Sequence, residues 1–299
     1  MLNFIDIGKK IYNTENPREM HRLLVFIMRA YRHYPRVRKL YEFFGENKLR
    51  EAIIKKNHFP LEQATRAFFY AKSTMNERAR LIENHFRIME ERLKPEAFVE
   101  LGTFGKYRIW ASEDEDIDWY TQLVFEPGQR KEGLLSVMMN LGTEHLYQIM
   151  FWLDYDENNE PSLFIGAMQG PNMENARDIV KDMTKRSHRY RTKNLILYMT
   201  QAVARSLSMR HIYAVTNEGY YAMNHIRRDR KLKTDFSAFW EEAGGHISSD
   251  PRFYELPLVE PRKTMEEVPT RKRAVYRKRF EFQDKVDEII AANMAKILK

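Results

Sequence analysis

Five short β-rich runs follow one another along the middle of the chain, at residues 106–112, 119–125, 134–141, 146–155 and 162–168, with only turn-length links between them. Links that short join antiparallel neighbours, so the spacing predicts a meander, with 156–161 (DENNEP) as one hairpin loop. Two helical stretches, 172 to about 187 and about 192 to 208, then separate the fifth run from the apolar segment HIYAV at 211–215. A crossover of that length delivers the chain to a parallel neighbour, most simply the run at 162–168. A helix at about 235–243, a short strand at 254–258 and a long C-terminal helix from about Phe280 complete the pattern.

The first 95 residues carry helix signals instead. Asn16, Pro17 and Glu19 supply an N-cap, a proline at the first helical position and a capping acid, and Leu23, Leu24, Ile27, Ala30, Tyr31 and Tyr34 follow at helical spacing. Thr74 and Glu77 open a second helix running through Leu81, Ile82, His85, Met89 and Leu93 to Pro95, and strand texture is expected from about residue 97. The predicted class is therefore α+β. A helical region (1–95) packs on a mixed, mostly antiparallel sheet domain with flanking helices (96–265), followed by a basic C-terminal helix (266–299).

Composition narrows the chemistry. None of the 299 residues is cysteine, which removes disulfides, thiolate metal sites, iron–sulfur clusters and a cysteine nucleophile, and favours a reducing compartment. The apolar run Leu23 to Met28 is far too short for a bilayer, and the first residues lack the apolar core of a signal peptide, so a cytoplasmic location is expected. The net charge of +8 resolves into blocks of +9 (1–95), −9 (96–188) and +8 (189–299). Basic ends beside an acidic centre read first as internal complementarity, second as a peripheral contact with anionic inner-membrane lipid; nucleic acid is not the expected partner. The cluster Arg271-Lys272-Arg273…Arg277-Lys278-Arg279 is expected to face either such a lipid surface, RNA, or the acidic run 113–118 of the same chain.

Residues with chemistry in them gather around the crossover. The turn Gly166-Ala167-Met168-Gln169-Gly170-Pro171 opens a helix, where free backbone N–H groups and the helix dipole suit a phosphate. Gln169 and Asn217 close the two parallel strands at their carboxyl ends, where open α/β sheets take ligands, although Asn217 also suits a turn or N-cap. Arg191 and Lys193 offer a fork and a point charge for phosphate, or form a pair of exposed cations at a helix end. Glu132, His145 and His188 are candidate acid–base groups; each also has an ordinary reading, as a polar pair with Glu144 for His145 and a solvated loop residue for His188. No histidine pair has metal-ligand spacing backed by carboxylates, and no Ser-His-Asp order stands out, so neither a metal nor a serine nucleophile is expected.

The order of elements over roughly 100–260 is similar to the GNAT-type acyltransferase fold. That resemblance implies an acyl-CoA or acyl-carrier thioester as donor, its arm admitted between the two parallel strands and its pyrophosphate held at the turn after the first. The usual R/Q-x-x-G-x-G/A spacing is absent, since Gly170 and Pro171 follow Gln169 directly and Pro171 removes a donor. At the level of motifs, KEGLLSV (131–137), HLYQIMFWLDY (145–155), FIGAMQGP (164–171), AVTN (214–217), AFWEEAGG (238–245) and VPTRKRAVYRKRF (268–280) resemble, in this order, those of the VirK/YbjX family. The segment HRYRTK (188–193) departs from the family's pattern of a glycine after the histidine and a proline after the arginine. The resemblance implies a Gram-negative protein linked to virulence, envelope and lipid A homeostasis and resistance to cationic antimicrobial peptides, with a lipid-related acceptor if it is an enzyme.

Overall fold

In the computed structural model, which describes residues 2–224 and 235–299, seven helices precede a single eight-stranded sheet. They are α1 (Phe4–Ile11), α2 (Pro17–Arg32), α3 (Tyr34–Gly45), α4 (Lys48–Lys56), α5 (Phe59–Thr65), α6 (Met75–Arg92) and α7 (Pro95–Gly102). Local sequence sets their ends. The Asn16 side chain accepts the N–H of Arg18, and Thr74 and Glu77 form a reciprocal capping box. Pro95 does not lead into strand texture as expected. It occupies the first turn of α7, where its missing N–H costs nothing, and the first strand begins at Lys106, where the first β-rich run is expected.

The strands are β1 (Lys106–Ala111), β2 (Trp119–Val124), β3 (Leu135–Leu141), β4 (Glu144–Tyr155), β5 (Pro161–Gln169), β6 (His211–Val215), β7 (His246–Ile247) and β8 (Phe253–Leu256), in the order β1-β2-β3-β4-β5-β6-β8-β7. All pairs are antiparallel except β5 with β6, which is parallel, as the helical crossover requires. The crossover is α8 (Ala176–Arg186) and α9 (Thr192–Ser206); α10 (Phe236–Glu242) and α11 (Arg273–Ile297) follow. The helix expected from 172 begins later, at Ala176, after Asn175 adopts a left-handed conformation. The C-terminal helix begins earlier than expected, at Arg273, because RAVYRKR consists largely of good helix formers and joins the same helix. The two-residue β7 is too short to leave a period-two signal.

The sheet is covered on both faces. On one, α9 and α11 lie over the early strands: Thr121 reaches Met199 (3.2 Å) and Trp110 meets Phe282 edge-on. On the other, α6 and the N-terminal helices cover β4 and β5. Asn84 of α6 bonds Asp154 (2.7 Å), and Tyr70, Trp152, Phe164 and Tyr213 stand in one stacked row across three strands. Trp152 is 1% exposed at the centre of that row. The acidic run 113–118 finds internal partners, but not those expected: Lys285 pairs with Glu113 and Arg186 with Asp114. The Arg279 guanidinium instead donates to the carbonyl of Arg189 (2.9 Å), while Arg271, Lys272, Arg277 and Lys278 are exposed.

A buried ion pair ties the N-terminal helices to the sheet's β2–β3 loop. Glu62 of α5, 1% exposed, accepts the Tyr12 hydroxyl (2.5 Å) and Arg130 Nε (2.6 Å). Arg130→Met strands that carboxylate, and we expect a loss of about 3–5 kcal/mol in urea unfolding. Adding Glu62→Leu is expected to recover part of that loss, since no charge is then left unpaired. Strictly additive single losses would show that the two side chains act separately.

Candidate functional site

The parallel pair β5–β6 bonds only as far as Ile165 and Ala214. Immediately afterwards β5 bulges: Phe151 of β4 pairs with Ile165 and Met150 with Ala167, so Gly166 is an extra residue in β5. The bulge makes room for the β2–β3 loop. A Cβ on Gly166 would stand 1.9 Å from the Glu132 carbonyl oxygen, so only glycine admits the loop there. The loop is pinned from three other directions. Leu134 N–H bonds Phe151 (2.9 Å), the Gln63 amide bonds the carbonyls of Arg130 (2.7 Å) and Gly133 (3.1 Å), and Phe69 N–H bonds Lys131 (2.8 Å).

A third segment closes the site. The strap between α5 and α6 pairs Tyr70 with Tyr220, and Ala71 N–H bonds the Gly219 carbonyl (2.7 Å). The Glu132 side chain is thereby held at 3% exposure between two donors. Oε1 accepts the Tyr220 hydroxyl, and Oε2 accepts Gln169 Nε2 (3.3 Å). Gln169 is in turn fixed by a reciprocal amide pair with Gln129 (2.8 Å each way). Burial pushes the Glu132 carboxyl above its ordinary range, with the bonds from Tyr220 and Gln169 and the charge of Lys131 pulling the other way. Burial and then the neighbouring Glu132 push the Tyr220 phenol up, so Tyr220 is a protonated donor at neutral pH. A carboxylate and a phenol sharing a hydrogen bond at the end of a strand can accept one proton and supply another.

The other expected residues lie elsewhere. Gly170 is exposed next to Gln169, over the ring of Tyr147. Arg191 and Lys193 both pair with Glu242 of α10, and Lys193 also sits 4.4 Å over the Phe239 ring. Asn217 is a cap: its Oδ1 accepts Phe236 N–H (2.8 Å) and its amide reaches Asp235 (2.8 Å). His145 is exposed in the β3–β4 hairpin, paired through Nδ1 with Asn140 (2.6 Å) and not with Glu144. His188 sits in the α8–α9 link at positive φ, edge-on to Phe282 of α11. The fold thus brings Glu132 and Gln169 together and leaves the two histidines out. Tyr220 and Gln129 had no motif to mark them; only Tyr220's place just after the Asn217 turn pointed at this end of the sheet. A cleft of about 300 Å³ does not open at Glu132 but elsewhere over the aromatic row, among Trp152, Phe164, Tyr213, Asp156 and Asp250.

Burial of Glu132 makes stability depend on pH. Because its folded-state affinity for a proton is raised, the native state holds a proton that the unfolded chain releases near pH 4.3, so stability falls as pH rises from there through the raised folded value. Glu132→Gln removes this dependence. Urea unfolding is expected to show the variant gaining on the wild type as pH rises through that window, then holding level; a difference unchanged with pH would mean that the carboxyl is not desolvated.

A family described as "Protein of unknown function (DUF535)" matches residues 15–292. The chain is 27% identical over 231 residues to "Uncharacterized protein YbjX" of Escherichia coli K12, covering 76% of this chain and 69% of that protein. Two proteins of Haemophilus influenzae, each described as "Uncharacterized protein", are 27% identical over 157 and 129 residues, or 51% and 42% of their lengths. No solved structure matches the chain. With nearly its whole length matched, and with motifs in the order of the VirK/YbjX proteins, the chain belongs to the DUF535 family.

Proposed function

We propose that the protein is an acyltransferase working in the manner of GNAT-type enzymes, moving an acyl group from an acyl-CoA or acyl-carrier thioester to a lipid-related acceptor of the cell envelope. The observation that carries this reading is the buried Glu132–Tyr220 pair at the point where β5 and β6 part. Glu132 takes the proton of the acceptor's hydroxyl or amine as that group attacks the thioester carbonyl. The C–S bond breaks and the departing thiolate takes the Tyr220 proton. The proton on Glu132 then returns to Tyr220 through their hydrogen bond, which restores both groups. With no cysteine in the chain, the transfer is direct and no thioester forms on the protein.

The donor's phosphates would meet the exposed turn at Gly170. Arg191 is near enough for its charge to act on Tyr147, whose ring underlies Gly170. Arg191 and Lys193 would then exchange Glu242 for phosphate, while His145, His188 and Asn217 play no part in the chemistry. Such a donor would be met in the cytoplasm, and on this reading the acceptor would belong to envelope maintenance, virulence and resistance to cationic peptides, as the resemblance to VirK/YbjX proteins implies. No helix among the described residues is long and apolar enough to cross a membrane. A second reading rests on the exposed cations Arg271, Lys272, Arg277 and Lys278, for which no ion pair exists among the described residues; they would seat the protein, as a binding module, on anionic inner-membrane lipid.

Calorimetry with coenzyme A and with acyl thioesters of increasing chain length tests the first reading. Saturable binding is expected, retained by Glu132→Gln and Tyr220→Phe, with acyl transfer in each variant reduced by about 10²-fold or more. Absence of binding to every thioester removes it. If, instead, salt-sensitive binding to anionic vesicles disappears when the four cations are neutralised, the second reading stands alone.

A further inference from the structure

A second polar cluster lies at the other end of β5 and β6, where the β4–β5 turn meets the first residue of β6. Asp156 builds the turn: Oδ1 accepts the N–H groups of Asn158 and Glu160 (2.9 Å each), and Oδ2 accepts the Tyr213 hydroxyl (3.3 Å). The Asp156 side chain is 3% exposed. His211 projects between three carboxylates. Its Nδ1 is 2.7 Å from Glu255 of β8, and its Nε2 lies 2.9 Å from Glu160 and 3.9 Å from Asp156. One ligating atom from each of Asp156, Glu160 and His211 falls within 4.8 Å of the others.

We propose that Asp156, Glu160 and His211 bind a divalent transition-metal ion of the zinc or manganese class. The imidazole is oriented for the task. With an ion in place, Glu255 would accept the proton on Nδ1 and leave the Nε2 lone pair for the metal beside Glu160 and Asp156, the carboxylate–histidine–metal arrangement of known sites. One imidazole nitrogen with two carboxylate oxygens suits zinc or manganese better than the all-oxygen shells of calcium. The separations fit as well. Bonds of about 2.0–2.1 Å to a tetrahedral ion put neighbouring ligand atoms about 3.3 Å apart, between the observed 2.9 and 3.9 Å.

Charge and space point the same way. Three carboxylates face His211, and the exposed His246 lies 3.6 Å from one of them, Glu255, so carboxylates outnumber imidazoles and a divalent ion balances the excess. Asp156 also lines the cleft of about 300 Å³, together with Trp152, Phe164 and Tyr213. A metal held by three protein ligands at the cleft wall keeps a position for water or for a ligand oxygen lying over the aromatic row. The ligands are invisible as a motif because the turn and β6 are brought together only by the crossover; the two acids precede the histidine by about fifty residues.

The test uses the full chain, stripped with chelator and titrated calorimetrically with Zn²⁺ and with Mn²⁺, and with Co²⁺ as a visible-light probe. One equivalent is expected to bind, with a rise in Tm and with a Co²⁺ absorption band. Glu160→Gln is expected to weaken binding at least tenfold and His211→Ala to abolish the Co²⁺ band. Glu255→Gln, which changes the group on the far side of the His211 ring and opposite His246 but no ligand, is expected to weaken binding by about 10–100-fold. Should His211→Ala unfold, Glu160→Gln and Glu255→Gln still decide the matter, since neither removes apolar packing. Lack of stoichiometric binding by all three ions overturns the proposal and leaves His211 as a bridging cation between Glu160 and Glu255. Binding that is unchanged in the variants overturns it equally, by placing the ion elsewhere.

Discussion

The Glu132 carbonyl rests on Gly166 at a distance that excludes any side chain, and much of the molecule is organised around that contact. It forces β5 to bulge, and it lays the β2–β3 loop across the sheet where β5 and β6 separate. Once there, the loop serves as the anchor for the helical region: Gln63 and Phe69 bond its backbone, and Glu62 takes Arg130. The Glu132 side chain is buried as a consequence of the loop's position rather than by hydrophobic preference. A carboxylate held this way costs stability.

That geometry explains why the N-terminal helices belong to the site although they contribute no acid or base. The strap between α5 and α6 bonds Gly219 and pairs with Tyr220, which fixes the phenol against Glu132. The same strap places Tyr70 on Trp152 and so caps the aromatic row. One stretch of chain therefore borders both the carboxylate–phenol pair and the 300 Å³ cleft. Loosening it would expose both regions together.

Much of the sheet was legible from sequence because period two and turn-length links are local signals. The parallel pair was legible too, since only a long crossover can return the chain beside 162–168. Pro95 does mark the end of α6, but the short helix α7 that begins there leaves no separate signal, and the start of α11 is hidden because a basic stretch that reads as surface is helical from Arg273. Of the candidate site, the nearness of Glu132 and Gln169 is legible because each sits next to a strand end. Tyr220, Gln129 and the Asp156–Glu160–His211 group are not legible, because their meeting depends on contacts across tens of residues that leave no spacing in the chain. The charge blocks were half informative. The acidic run does find internal partners, but Lys285 and Arg186 supply them, and the Arg271–Arg279 cluster mostly faces outward.

In the proposed reaction Glu132 is a desolvated base that meets the acceptor of a thioester donor. Carbon-13 NMR of carboxyl-labelled glutamate, assigned to Glu132 by Glu132→Gln and followed through a pH titration with and without a saturating acyl thioester, reads both properties at once. The Glu132 signal is predicted to titrate above the ordinary glutamate range and to shift when the thioester binds. Titration near pH 4.3, with a signal indifferent to the thioester, would contradict it.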